Sequence, residues 1–209
     1  MRQFRHYAVL LFLLVTACAS PSGGGGGSAV LRHFVLMPTA TGRLPALTGS
    51  HSGYTLEVLQ VAVPSYLNRS QIVTRPGPHE LDLSEAHQWG DTLSEGVTRT
   101  VATNLARLLG SDRVFPRSPY LVVPANYRLA TEINRFEQDA DGAVVLDLYW
   151  RLFAGNDTAP VLERRADWRS EAVSTTDYAV LVAAMSRLLG DFSLSVAREM
   201  SVISTPVAR

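Results

Sequence analysis

One stretch constrains the fold more than any other: Leu146, Leu148, Trp150 and Leu152 alternate with Asp147, Tyr149 and Arg151. A period of two gives a strand one apolar and one polar face, so one face is buried. A half-buried strand needs hydrogen-bonded neighbours. Asp141–Gly142, just before it, is a hairpin signal. Upstream, Tyr127–Glu137 reads as a strand with Tyr127, Leu129 and Ile133 on one face; Phe136 breaks that parity and predicts a bulge. Downstream, Asn156–Pro160 is a turn and Val161–Ala172 a further strand carrying Trp168. Long antiparallel strands follow.

Their apolar face needs cover, and two helices can supply it. Thr92-x-x-Glu95 is a capping-box pattern, with Asp91 a rival cap. Leu93, Val97, Val101, Leu105 and Leu108 then recur at helical spacing, and Gly110 closes the helix. Arg99, Thr103 and Arg107 fall on its other side. The second helix follows Ser174-x-x-Asp177, with Tyr178, Leu181, Val182, Met185, Leu188, Leu189, Phe192, Val196 and Met200 in one core-facing stripe. Gly190 interrupts it at a cost of about 1 kcal/mol against Ala.

The first half is more broken. Leu31–Met37 reads as a strand, Thr39–Gly53 as a loop, and Tyr54–Val63 as a central strand apolar on both faces and ended by Pro64. Ser65–Asn68 suits one helical turn, Gln71–Arg75 a short strand, Gly77–Pro78 a turn and Glu80–Leu83 a short returning strand. Val114–Phe115 is a short strand before a loop over Pro116–Pro124. The expected architecture is α+β: a single domain with a mixed, mostly antiparallel sheet and two amphipathic helices packed on one face. It spans residues 31–204, with a disordered tail over 205–209.

The N-terminus reads as an export signal. Arg2, Arg5 and His6 precede an apolar run from Tyr7 to Ala17, 11 residues against the roughly 20 of a membrane span. Val15-Thr16-Ala17-Cys18 resembles the bacterial lipoprotein signal, and Cys18 is the sole cysteine. That resemblance implies removal of residues 1–17, a diacylglycerol on the Cys18 thiol and an acyl chain on its new amine. Three chains exceed the two signals that stable anchoring takes. Ala19, in place of Asp, points within that class to the outer membrane, with the domain facing the periplasm. Residues 18–30 form a Gly-rich tether with a reach of about 20 Å.

Composition narrows the chemistry. All 19 basic residues are Arg; losing Arg2 and Arg5 with the signal leaves 17 against 19 acidic residues and no basic stripe, which argues against nucleic acid. His33, His51, His79 and His87 show no metal-ligand spacing. There is no Gly-x-Ser-x-Gly elbow and no phosphate loop. The expectation is a protein that is not an enzyme and carries no metal or cofactor beyond the lipid on Cys18.

Val63-Pro64-Ser65-Tyr66-Leu67-Asn68-Arg69-Ser70-Gln71-Ile72-Val73-Thr74-Arg75 stands apart, because polar Arg69 and Gln71 interrupt aromatic and aliphatic residues. It resembles the signature of the PqiC/YmbA family of ABC-type transport auxiliary lipoproteins, roughly Pro-x-Tyr-Leu-Asp/Asn-Arg-x-Gln-Ile-Val-x-Arg. Trp89 ahead of Leu93, Asn126-Tyr127-Arg128-Leu129, Phe136-Glu137, Leu148-Tyr149-Trp150-Arg151-Leu152 and a closing helix with Tyr178 and Leu181 are similar to that family too. The resemblance covers Phe34 to Met200. It implies an outer-membrane partner of an MCE-type lipid transport protein that maintains envelope integrity. A homo-oligomer is a separate expectation, with the turn at Tyr66, Leu67 and Arg69 docking a neighbouring copy or that partner. On this reading Tyr66, Leu67, Arg69 and Gln71 form a docking turn; a turn that only fixes strand order is the other reading. A lipoprotein that itself holds a lipid or cell-wall ligand is the alternative function, and it needs a sizeable apolar pocket between sheet and helices.

Overall fold

The computed structural model describes residues 30–42, 55–120 and 122–203. Along them run β1 (Arg32–Phe34), β2 (Leu56–Val58), β3 (Gln71–Gly77), β4 (Glu80–Trp89), α1 (Leu93–Leu109), β5 (Val114–Pro116), β6 (Tyr127–Gln138), β7 (Ala143–Ala154), β8 (Pro160–Ala172) and α2 (Tyr178–Val202). Cys18, most of the tether and the 205–209 tail lie outside the described residues.

The expected α+β domain is present. The alternating stretch forms β7, paired antiparallel on both edges, to β6 and to β8. Leu146, Leu148, Trp150 and Leu152 are all buried. The bulge that Phe136 predicts lies between Ile133 and Arg135, opposite Leu148 and Asp147. Asn134 is the extra residue, so Phe136 regains the core face. Gly142 supplies the left-handed turn residue of the β6–β7 hairpin, with φ 85°.

The other edge of β6 is shared. β2 pairs in parallel with its start, Ala62 bridges its middle at Glu132, and β3 touches its end through Thr74 and Gln138. β5 continues outward from β2; β4 and then β1 continue outward from β3. The strand expected over Tyr54–Val63 is therefore shorter: only Leu56–Val58 is regular, and Tyr54 lies outside the described residues. The cause is α1. Thr98 Oγ1 accepts from the Val61 N–H at 3.0 Å and Ser94 Oγ donates to the Val61 carbonyl, drawing that residue off the ladder. Conversely, β4 runs on from Leu83 to Trp89, held by β3 on one edge and β1 on the other.

Both helices start and stop on their own side chains. Thr92 accepts from the Glu95 N–H, Gly110 closes α1 at φ 57°, and Asp91 instead pairs with Arg99. In α2 the N-cap is Asp177, which accepts from Ala179 and Val180; Ser174 caps only the turn before it. Over its 25 residues α2 is apolar enough to match a membrane span, but its stripe is core, packed on α1 and the sheet.

The first strand is also shorter than its sequence reading, three residues instead of seven. Beyond Phe34 the chain crosses the outside of the helix pair as a strap. Met37 N–H donates to Ser186 Oγ at 3.2 Å, Thr39 Oγ1 to the Ser186 carbonyl at 3.1 Å, and Ala40 N–H to Asn104 Oδ1 at 2.9 Å. Arg107, assigned by its spacing to the outer face, donates to the Pro38 carbonyl at 3.0 Å. The strap accounts for polar residues buried within both helices. It also accounts for Gly190: a Cβ there would collide with Thr39 Oγ1.

A Gly190→Ala variant tests this. Ala favours a helix by about 1 kcal/mol, yet the added methyl forces Thr39 to rotate away from Ser186. The melting temperature should fall in Gly190→Ala and recover when Thr39→Ala is added. A rise in Gly190→Ala alone would show that the strap does not bear on this position.

Candidate functional site

Between Ala62 and Thr74 the chain leaves β6 and returns, and this excursion carries the distinctive motif. It opens with one helical turn, as its sequence suggests: the Pro64 carbonyl accepts from Leu67 and Asn68 N–H groups at 3.0 and 3.1 Å. The Leu67 side chain fills the core and is 2% exposed. This corrects its assignment to a docking surface, because the turn points it inward, into the hydrophobic core, rather than outward. Asn68, Arg69 and Ser70 are exposed. Gln71 is half-buried on β3, opposite Gln88.

Tyr66 points back onto β6. Its hydroxyl donates to Glu137 Oε2 at 3.0 Å and lies 3.3 Å from the carbonyl of Asn134, the bulge residue. Glu137 has a fully buried side chain. Its Oε1 accepts from Arg75 Nε and Arg135 Nε, each at 2.9 Å, and its Oε2 also accepts from the Phe136 N–H at 2.9 Å. The Arg75 guanidinium lies 5.6 Å from the centre of the Tyr66 ring. Arg135 continues to Asp139 at 3.0 Å, and Arg169 of β8 bonds both Asp139 and Asp141. Positive and negative groups thus alternate from the motif to the far hairpin.

Burial, followed by the neighbouring Glu137 charge, pushes the Tyr66 phenol up to about 12. At Asp139 burial works upward, but hydrogen bonds from Arg169 and Arg135 outweigh it and hold the carboxyl below its usual range. The arrangement binds three segments of backbone together. Tyr66 lies near the start of the motif and Arg75 at its end, and Glu137 is where they meet. Spacing alone misses Glu137, because the bulge moves it to the opposite face from the one that its parity with Ile133 implies. The usable signal was the Phe136-Glu137 pair itself.

Among the described residues no three His, Cys, Asp or Glu side chains converge as metal ligands. Ser84 Oγ lies 2.7 Å from His87 Nδ1, but that ring stacks on Tyr178 at 3.9 Å, and no described carboxylate bonds the imidazole to complete a triad. Two surface grooves are larger. One of about 670 Å³ is flanked by Arg117, held bidentately by buried Glu57, and by Arg99, Pro119 and Val122. The other, of about 630 Å³, lies between β8 and α2. Both open to solvent.

Comparison with known proteins places this geometry. The family model described as the ABC-type transport auxiliary lipoprotein component matches residues 34–197. No curated protein matches the chain. Among solved structures, an uncharacterized protein is 22% identical, with a TM-score of 0.64 over 82% of this chain and 99% of its own. Protein XCC0632 from Xanthomonas campestris is 21% identical, with a TM-score of 0.67 over 81% of this chain and 95% of its own. At those identities the likeness is one of fold.

Removing one member of a buried charged cluster leaves the others unpaired. Glu137→Gln should lower stability by about 3 kcal/mol and Tyr66→Phe by about 1.5 kcal/mol, both read by denaturant melts. The Tyr66 phenol also sets a pH dependence. Its folded value lies above the ordinary 10, so its stabilisation is complete below pH 10 and is lost as pH rises from 10 toward about 12. Tyr66→Phe should flatten the alkaline limb of the stability curve; an unchanged limb would remove Tyr66 from the network.

Proposed function

The chain belongs to the family of ABC-type transport auxiliary lipoprotein components, and on that premise we propose that it is the outer-membrane subunit of an MCE-type system that moves lipids between the envelope membranes. It faces the periplasm from an acylated Cys18. Its part is docking, not catalysis. The observation that carries this reading is the span of the family match, residues 34–197, from β1 to the last turns of α2.

The packing supports docking over carriage. A domain that holds a lipid needs an apolar cavity between its layers. Here that space is filled by Phe136, Trp150 and Phe192, each no more than 1% exposed. The motif contributes its outer rim. Tyr66 and Leu67 are engaged inward, so the partner meets exposed Asn68 and Arg69. Arg is enriched among residues that dominate interfaces.

Two measurements test the proposal. Cys18→Ala should lose metabolic acyl labelling and move from the membrane to the soluble periplasmic fraction while its domain stays folded; an unlabelled wild type would defeat the anchor. Arg69→Glu should reduce crosslinking in intact cells to the MCE-type protein without changing the melting temperature. Equal crosslinking in both would take Arg69 out of the interface, and no MCE-type protein among the wild-type products would overturn the partner.

A further inference from the structure

From Val30 to Met37 the chain is apolar on the side it turns outward. Phe34 and Leu36 point in; Leu36 is buried and Phe34 half-buried. Leu31, Val35 and Met37, which alternate with them, are 48%, 48% and 59% exposed, and exposed His33 shares their parity. An edge strand ordinarily turns polar residues to water. This segment has none but Arg32 and His33, and no acidic residue at all. The start of α2 widens the face. The Tyr178 ring lies 6.3 Å from that of Phe34, and Met37 bonds Ser186; exposed Ala179, Val180 and Ala183 run between those two contacts. Five of the nine exposed large apolar side chains among the described residues gather here: Val30, Leu31, Val35, Met37 and Val180. Scattered apolar residues need no explanation, but a gathered patch marks a contact.

Cations frame the patch. Arg32 on β1 and Arg187 on α2, beside Ser186, are exposed and have no ion-pair partner among the described residues. Of the acids at its margin, Asp91 pairs with Arg99 and Asp177 is taken up in capping α2; Asp191 lies one turn beyond Arg187.

We propose that this face rests on the surface of the bilayer that holds the acyl chains. Leu31, Val35, Met37 and Val180 sit at the acyl boundary, and Arg32 and Arg187 meet lipid phosphates. The choice of a bilayer rests on the acylated Cys18 proposed above. Val30 is 12 residues beyond Cys18, a flexible reach of about 20 Å, so this face is the part of the domain that the tether brings to the surface first. Its chemistry fits as well: an interfacial contact takes aliphatic side chains below the headgroups and cations among them. Anchoring raises the effective concentration, so a contact too weak to hold a free domain suffices. It fixes an orientation that the Gly-rich tether leaves open, and turns the outer face of the sheet away from the membrane.

The test uses vesicles of phosphatidylethanolamine and phosphatidylglycerol with two forms of the mature chain, residues 18–209: the acylated protein reconstituted in them, and a Cys18→Ala form titrated with them. A polarity-sensitive fluorophore is placed on Met37→Cys and, as a control, on Glu132→Cys, exposed on the opposite face of the sheet. Flotation of the acylated form reads the anchor; quenching by nitroxide lipids reads the face. The Met37 label should be quenched in both forms and the Glu132 label in neither. Val35→Glu with Val180→Glu should weaken vesicle binding of the Cys18→Ala form about tenfold. In the acylated form the same pair should abolish quenching at Met37 while flotation and the melting temperature persist. A chain that floats with an unquenched Met37 label would overturn the contact and leave the anchor standing. A chain that does not float defeats the anchor, and an unquenched Met37 label in the Cys18→Ala form then overturns the contact too. A Met37 label that responds only when another protein is added would assign the face to that protein and overturn the bilayer.

Discussion

The domain depends on a carboxylate that water does not reach. Glu137 is enclosed at the end of β6, and its charge is sustainable there only because Arg75, Arg135, Tyr66 and a backbone N–H all donate to it. Burying an isolated charge is prohibitive, so the fold either assembles every donor or does not form there at all. Those donors come from three segments: the excursion after β2, the strand β3 and the bulged end of β6. The cluster therefore specifies how the irregular edge of β6 is assembled, a task that apolar packing alone leaves open. Arg75 closes the cluster over the Tyr66 ring, and Arg135 passes the alternation on to Asp139 and Arg169.

The motif and the bulge explain each other. A bulge leaves one residue outside the ladder, with backbone groups to satisfy. Here that residue is Asn134, and its carbonyl is met by the Tyr66 hydroxyl. The same bulge rotates Phe136 into the core and Glu137 out to the face where Arg75 and Tyr66 wait. Without the extra residue, Glu137 would point toward the helices and the cluster could not form. The spacing of Pro64, Tyr66, Leu67, Arg69, Gln71 and Arg75 is thus largely structural: a turn, a hydroxyl, a core plug and a guanidinium placed around one acid. Arg69 is the exception, turned to solvent.

What the sequence made legible follows from range. The strands β6 to β8, the two helices and their caps are written in local periodicity, and each was readable because its partners lie close in the chain. The excursion's role was not, because Tyr66 and Glu137 are 71 residues apart and the bulge inverts the parity that points to them. The strap was hidden for the same reason. Its backbone groups bond Ser186 and Asn104, residues that look like defects in an apolar stripe until the chain lying over them is known. Val61 is the mirror case: an apolar residue in an apolar strand whose backbone is taken by two small polar residues of α1.

The strap also bears on how an anchored domain carries load. The described chain begins with exposed Val30 and enters the sheet two residues later as β1, paired in parallel with β4 from Arg32 to Phe34. Three residues of ladder are a short hold on an edge. The next six residues add to it, since Met37, Thr39 and Ala40 bond across both helices and Arg107 holds the Pro38 carbonyl. A pull on the N-terminal side is therefore shared between the β1–β4 ladder and hydrogen bonds to two helices that are themselves packed on β6 to β8. Gly190 is part of that hold. By leaving out a side chain it lets Thr39 seat against α2, so a residue that weakens the helix locally strengthens the attachment of the N-terminal segment.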